Sequence, residues 1–258
     1  MNLNLTGKHA LVCGSTQGIG KAAAIELALL GTRVTLLARN EEKLIATVNE
    51  LAEKSHQYLV ADFSDADNLQ QVITGYVAEN PVHILVNNTG GPPAGLAIDA
   101  SAADFLKAFT NHLICNQILT QAVVPGMKDA GYGRIVNVIS TSVKIPIKGL
   151  GVSNTIRGAV ANWAKTLSVE LAPFGITVNN VLPGSTMTGR LDAILKANAT
   201  RAGKSYEEAL ADMIEEIPAG RIADAHEVAA AIAFLASPAA GYINGINLPV
   251  DGGRTGSL

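Results

Sequence analysis

The chain has 258 residues, of which 48% are hydrophobic and 16% charged; this composition excludes disorder, and the length suits one α/β domain around a continuous core. Twenty-five Gly and ten Pro without a period exclude collagen-like and solenoid chains. A formal net charge of −3 with scattered Lys and Arg argues against nucleic acid or an acidic membrane as a partner.

No apolar run approaches the ~18 residues that span a bilayer. Residues 1–14 hold a short apolar core without a basic lead or cleavage site, so a cytoplasmic chain is expected. From there, short β-branched runs alternate with stretches of helical period, the mark of right-handed βαβ units around a parallel sheet. Strands are predicted at His9–Cys13, Arg33–Ala38, Gln57–Ala61, His83–Asn87, Arg134–Ile139, Thr177–Leu182 and Gly245–Val250. Helices are predicted at Gly18–Leu30, Glu41–Glu53, Ala66–Ala78, Ala102–Lys128 with a break near Thr110–Asn111, Ser153–Ala172, Tyr206–Ile217 and His226–Leu235. Near-continuous apolar strands indicate a sheet covered on both faces. The fold class is therefore α/β, a doubly wound parallel sheet of about seven strands flanked by helices, in a single domain over 1–258.

Residues 188–220 carry mixed charge and are long for a connection. Two readings stay open for them, a solvated helix pair and a lid over a site. Cys13 and Cys115 lie far apart and read as small core hydrophobes. His9, His56, His83, His112 and His226 show no metal-ligand spacing, so no metal is expected. Trp163 reads as core or subunit interface.

The first strand is followed by Gly14-Ser15-Thr16-Gln17-Gly18-Ile19-Gly20, within which a helix opens. Glycines permit a tight turn and close backbone approach, and a helix N-terminus offers free N–H groups to a pyrophosphate, so this Rossmann-type turn is a candidate dinucleotide cradle. At the end of the second strand, where a carboxylate would accept from the ribose 2′-OH of NAD, the chain reads Leu37-Ala38-Arg39-Asn40. A guanidinium there can hold a 2′-phosphate, so NADP(H) is expected over NAD(H). Asp62 closes the third strand and Asn87-Asn88-Thr89-Gly90 the fourth, both at the carboxyl edge where open α/β sheets bind ligands. Gly91-Pro92-Pro93-Ala94-Gly95 follows as a rigid loop and candidate pocket wall.

Taken together, Gly14-x-x-x-Gly18-x-Gly20, Asn87-Asn88-x-Gly90, Gly133-Arg134-Ile135-Val136-Asn137, Pro183-Gly184 and Asp251-Gly252-Gly253 resemble the short-chain dehydrogenase/reductase family almost end to end, most of all its bacterial 3-oxoacyl-acyl-carrier-protein reductases. The resemblance implies a seven-stranded sheet, a homotetramer or homodimer, and a carbonyl or alcohol substrate. It places Gly14 to Gly20, Arg39, Asp62, Asn88, Gly90, Pro183, Gly184 and Thr186 or Thr188 around the cofactor. Thr89 stands where the family usually has Ala.

Such enzymes open a long helix with Tyr-x-x-x-Lys, preceded by a Ser and an Asn of the same proton-transfer tetrad. Ser140 and Asn111 match the latter two. The Tyr position holds Ser153 and the Lys position Arg157. An aliphatic hydroxyl is a far weaker acid than a phenol, so Ser153 suits hydrogen bonding to a carbonyl or one link of a water relay. Arg157 can hold ribose hydroxyls and supply charge, but it does not pass protons. The leading reading is an atypical NADP(H)-dependent carbonyl reductase, possible on a 3-oxoacyl thioester, whose proton comes from water or from Lys144, Lys148 or His112. A cofactor-binding sensor or scaffold of the same fold, and an epimerase or dehydratase, stay as alternatives.

Overall fold

The computed structural model describes residues 1–52 and 55–257. Its strands are β1 (His9–Cys13), β2 (Arg33–Ala38), β3 (Gln57–Val60), β4 (Ile84–Asn87), β5 (Gly133–Val138), β6 (Ile176–Pro183) and β7 (Asn247–Val250). They form one sheet in the order β3-β2-β1-β4-β5-β6-β7, with every neighbouring pair parallel. β1, β4 and β5 are buried along their whole length, as expected of strands with helices on both faces.

The helices are α1 (Gly18–Leu29), α2 (Glu41–Glu50), α3 (Ala66–Val77), α4 (Ala102–Phe109), α5 (Cys115–Asp129), α6 (Gly151–Leu171), α7 (Gly189–Ala202), α8 (Tyr206–Glu215) and α9 (Ala225–Ala236). Alternation along the strands sends consecutive side chains to opposite layers. Leu36 of β2 packs with Leu27 of α1, Leu44 of α2 and Ile232 of α9, while Leu37 joins Leu69 and Ile73 of α3, Leu119 of α5 and Ala164 of α6. Both cysteines belong to this second layer, where burial pushes their thiols up, Cys115 to about 11. Trp163 also packs there, its Nε1 donating to Gln117 Oε1 at 2.8 Å.

One expected break and two departures from the sequence pattern are found among the helices. The long fourth helix is divided by a π turn over Thr110–Ile114, which begins at the expected break. Helix α7 was not placed by the pattern, although Leu191, Leu195 and Ala199 recur on one buried face and Thr188 caps it, accepting from Leu191 N. Together α7 and α8 fill most of 188–220. The last expected residue of the second helix, Glu53, lies outside the described residues; α2 itself ends at Glu50, after which Leu51 is extended.

One polar feature runs through the core. Asn87, Asn137, Asn180 and Asn247 are direct cross-strand neighbours on β4 to β7. Asn87 Nδ2 donates to Asn137 Oδ1 (2.8 Å), Asn137 Nδ2 to Asn180 Oδ1 (2.9 Å) and Asn180 Nδ2 to Asn247 Oδ1 (2.8 Å). A slip of one residue in any of these strands would break the amide ladder, so it fixes their register.

Candidate active site

The chain leaves β1 for β2 on one side and β4 for β5 on the other, so the loops at their carboxyl ends part and leave a crevice. A cleft of about 760 Å³ occupies it.

Its nucleotide end is built by glycines in two roles. Gly14 (φ 58°) and Gly20 have no space for a side chain: a Cβ on Gly14 would stand 2.5 Å from the Asn88 carbonyl oxygen, and one on Gly20 2.3 Å from that of Gly14. Asn88 completes the joint, its Nδ2 donating to the carbonyls of Cys13 and Gly14 at 3.2 and 3.3 Å. These residues hold β1 against β4. Gly18 (φ 54°) lies in the cleft wall under the Thr188 methyl, 3.1 Å from where its Cβ would be. Helix α1 starts here with no side-chain cap and no acid in its first turn, which leaves its N–H groups for an external anion. Thr16, Gln17 and Ile19 line the cleft, whereas Ser15 is wholly buried behind it with an unpartnered hydroxyl.

Arg39 and Asp62 stand on the wall formed by β2 and β3, 3.9 Å apart and with side chains 80% and 43% exposed. The Ser64 backbone N–H, then the Ser64 side chain and Arg39, hold the Asp62 carboxyl below its usual range against the opposing effect of burial. Lys43 shares this wall, a cation the sequence reading passed over. It sits one helical turn beyond Arg39, and Asn40 between them caps α2 by accepting from Lys43 N at 2.8 Å. An uncapped helix start under a glycine turn, beside two cations, fits a dinucleotide that carries a 2′-phosphate.

At the opposite end Ser140, Ser153, Arg157 and Asn111 face one cleft together with Pro183, Gly184, Thr186 and Gly90. Ser140 is fixed by the Ser142 N–H, which donates to its Oγ at 3.1 Å. Asn111 sits in the π turn; in the amide orientation that satisfies its neighbours, its nitrogen donates to the carbonyls of Phe63 (2.8 Å) and Lys107 (3.2 Å). Gly184 is free of a side chain because Asp251 packs there, its Cβ 2.6 Å from the position a Gly184 Cβ would take. Arg157 is buried, and its Nη1 donates to the Val138 carbonyl at 3.0 Å. Burial, then the charge of Arg190, pulls its pKa down to about 10, so it stays protonated near neutral pH.

Of the three expected proton sources, Lys144 and Lys148 are not among the cleft-lining residues. His112 is buried in the π turn, its Nδ1 2.5 Å from Thr89 Oγ1. Burial, and next the charge of Arg157, lowers its pKa to about 3, which leaves a neutral ring. Thr89 in turn faces the cleft, so its hydroxyl links the ring to the site. This pairing gives the Thr in place of Ala a local reason that no sequence pattern carries. A side chamber of about 420 Å³, between the 90–96 loop and α4, joins the cleft at Gly90, Gly91 and Asn111.

The fold and this site define a nucleotide-dependent oxidoreductase on a doubly wound sheet. Residues 14–255 match the family described as Enoyl-(Acyl carrier protein) reductase. The chain belongs to that family, within the short-chain dehydrogenases/reductases, whose members are NAD(P)-dependent oxidoreductases acting on CH–OH and C=O groups. It is 32% identical over 252 residues to a 3-oxoacyl-[acyl-carrier-protein] reductase of Vibrio cholerae, covering 97% of this chain and 98% of that one. A tropinone reductase homolog of Arabidopsis thaliana is 33% identical over 256 residues, 98% of this chain and 91% of the relative. The crystal structure of L-sorbose reductase from Gluconobacter frateurii with NADPH and L-sorbose superposes with a TM-score of 0.93 at 27% identity, covering all of both chains. Among the described residues no helix is long and apolar enough to cross a membrane.

Proposed function

We propose that this oxidoreductase prefers NADP(H) to NAD(H) and reduces a carbonyl without the usual phenol acid. The observation that carries the reading is the convergence of Ser140, Ser153 and Arg157 on the same cleft as the Gly18 turn, Arg39 and Lys43. Bound there, the cofactor supplies or accepts a hydride. The α1 N-terminus and Thr188 hold the pyrophosphate, Arg39 and Lys43 the 2′-phosphate, and Asp62 marks the adenine side of the wall. Pro183, Gly184 and Thr186 border the nicotinamide end. Ser140 and Ser153 donate hydrogen bonds to the substrate oxygen, and the fixed charge of Arg157 favours the negative charge that develops there. The proton reaches the oxygen from water or through Thr89, whose hydroxyl the neutral His112 ring orients. Helices α7 and α8 act as the cover over the substrate end.

Calorimetric titration tests this without knowledge of the substrate. Micromolar binding of NADPH with much weaker NADH is expected, and Arg39→Asp should lower the NADPH to NADH affinity ratio by about tenfold or more, the scale of one charge-assisted contact. An unchanged ratio in that variant would remove the assignment. A second reading, a cofactor-binding sensor with little turnover, draws support from the absence of any tyrosine among the residues lining the cleft. The pair Ser153→Tyr with Arg157→Lys separates the two: NADPH oxidation against a carbonyl panel that appears only in this double variant favours the sensor, and turnover by the parent favours the reductase.

A further inference from the structure

Two guanidinium groups meet at the substrate end without a counter-charge. Arg157 reaches the cleft from α6 and Arg190 from the first turn of α7. Arg157 gives one nitrogen to the Val138 carbonyl and Arg190 gives Nη2 to the Pro92 carbonyl at 2.6 Å. Among the described residues neither forms an ion pair; of the acids that line the cleft and the side chamber, Asp62 pairs with Arg39, Asp104 accepts from Ser101, and Asp99 is in no ion pair. The two side chains converge on one point: a carbon built on Gly91 would lie 3.6 Å from Arg190 Nη2 and 3.9 Å from Arg157 Nη2. Gly91 has no side chain, so that point is open, and it borders both the main cleft and the side chamber. Burial disfavours the charge of Arg157 strongly and that of the solvent-exposed Arg190 less, and Arg190 adds to the burden on Arg157. A buried cation held against a second cation is costly unless a ligand brings the opposite charge.

Resting on the reductase reading, we infer that the substrate is a carbonyl compound carrying a carboxylate, held between Arg157 and Arg190 over Gly91 while its carbonyl lies at Ser140 and Ser153. A planar carboxylate offers one oxygen to each guanidinium, the geometry in which arginine binds most selectively. The pyrophosphate of the cofactor is the rival source of the anion, since Gly18, Thr188 and Arg190 line the same cleft, and the NADPH affinity of the variants tells the two apart.

The test titrates the purified protein, saturated with NADPH, with pyruvate, 2-oxobutanoate, 4-oxopentanoate and 5-oxohexanoate, each beside its methyl ester. At least one acid should bind about tenfold or more tightly than its ester. Arg190→Gln should bring that ratio near one, Arg190→Lys should retain most of it, and NADPH affinity should stay within about twofold of the parent in both. Arg157→Lys, which keeps the buried charge, guards against loss of folding at the more buried position and should also retain a preference for the acid. Equal binding of acid and ester, no binding of either, or an acid preference that survives Arg190→Gln would overturn the proposal. A parallel loss of NADPH affinity in Arg190→Gln would assign the pair to the cofactor and overturn it equally. Failure of NADPH to bind the parent would instead strike the reductase reading; the acid and ester comparison on the protein alone then decides the anion site by the same criterion.

Discussion

His112 and His9 are imidazoles that the folded chain keeps neutral. Burial is the main cause at both, and their pKa values fall to about 3 and about 4 from an ordinary 6.5. As pH drops below 6.5 the unfolded chain takes up protons on these rings and the folded chain does not, so the free energy of unfolding should fall steadily from pH 6.5 toward pH 4. The loss is on the order of 5 kcal/mol for the two rings together. Urea unfolding at pH 7, 5.5 and 4.5 measures it, and His112→Asn should flatten the dependence; a slope identical to the parent's would show that His112 does not titrate in this way. The same ring explains a substitution that looked minor in the sequence. Thr89→Ala would leave His112 Nδ1 without its partner and cost about 1–3 kcal/mol of stability. His112 itself stood in the sequence only as one histidine among five, because nothing local announces which helix turn faces β4.

Among the elements, the amide ladder of β4 to β7 combines one-dimensional and spatial information. Each asparagine is visible in an apolar strand as a polar intrusion, but only the parallel register shows that the four are adjacent. Asn137→Val would strip a donor from Asn180 and an acceptor from Asn87, whose own Oδ1 already has no partner. A loss of about 3 kcal/mol in chemical denaturation is expected, against near-neutral values for exposed substitutions. Strand positions were legible because buried parallel strands are short, apolar and closed by turn residues, and β1 and β2 lie where the pattern put them. Helix α7 entered the sequence reading only as one half of an unplaced helix pair over 188–220, although Leu191, Leu195 and Ala199 are spaced for it, since Arg190, Asp192, Lys196 and Arg201 break up the apolar pattern of the stretch.

At the scale of the molecule, the site is the seam between the two halves of the sheet, so cofactor binding and folding are coupled. NADPH at a hundred times its dissociation constant should add about 2.7 kcal/mol to the unfolding free energy and raise the melting temperature by roughly 5 °C or more. Gly14→Ala should abolish that shift as well as lower the melting temperature, because the added methyl meets the Asn88 backbone and forces β1 from β4. A melting curve that rises with NADPH in this variant as in the parent would show that the β1–β4 joint does not govern the cradle.

The sequence by itself determined the class of this protein. Periodicity set the alternating α/β plan, the glycine turn, Arg39 and Asp62 could be picked out because their chemistry is local to a strand end or a helix start, and the family resemblance pointed to Ser140, Ser153 and Arg157. Only the tertiary structure decided which distant side chains share a surface: Lys43 with Arg39, Thr89 with His112, and Arg190 with Arg157 across Gly91. The reason is that periodicity reports which face of an element is buried, whereas the charges and hydroxyls that act together are carried by loops and helix ends remote in the chain and are brought to one cleft only when the sheet closes.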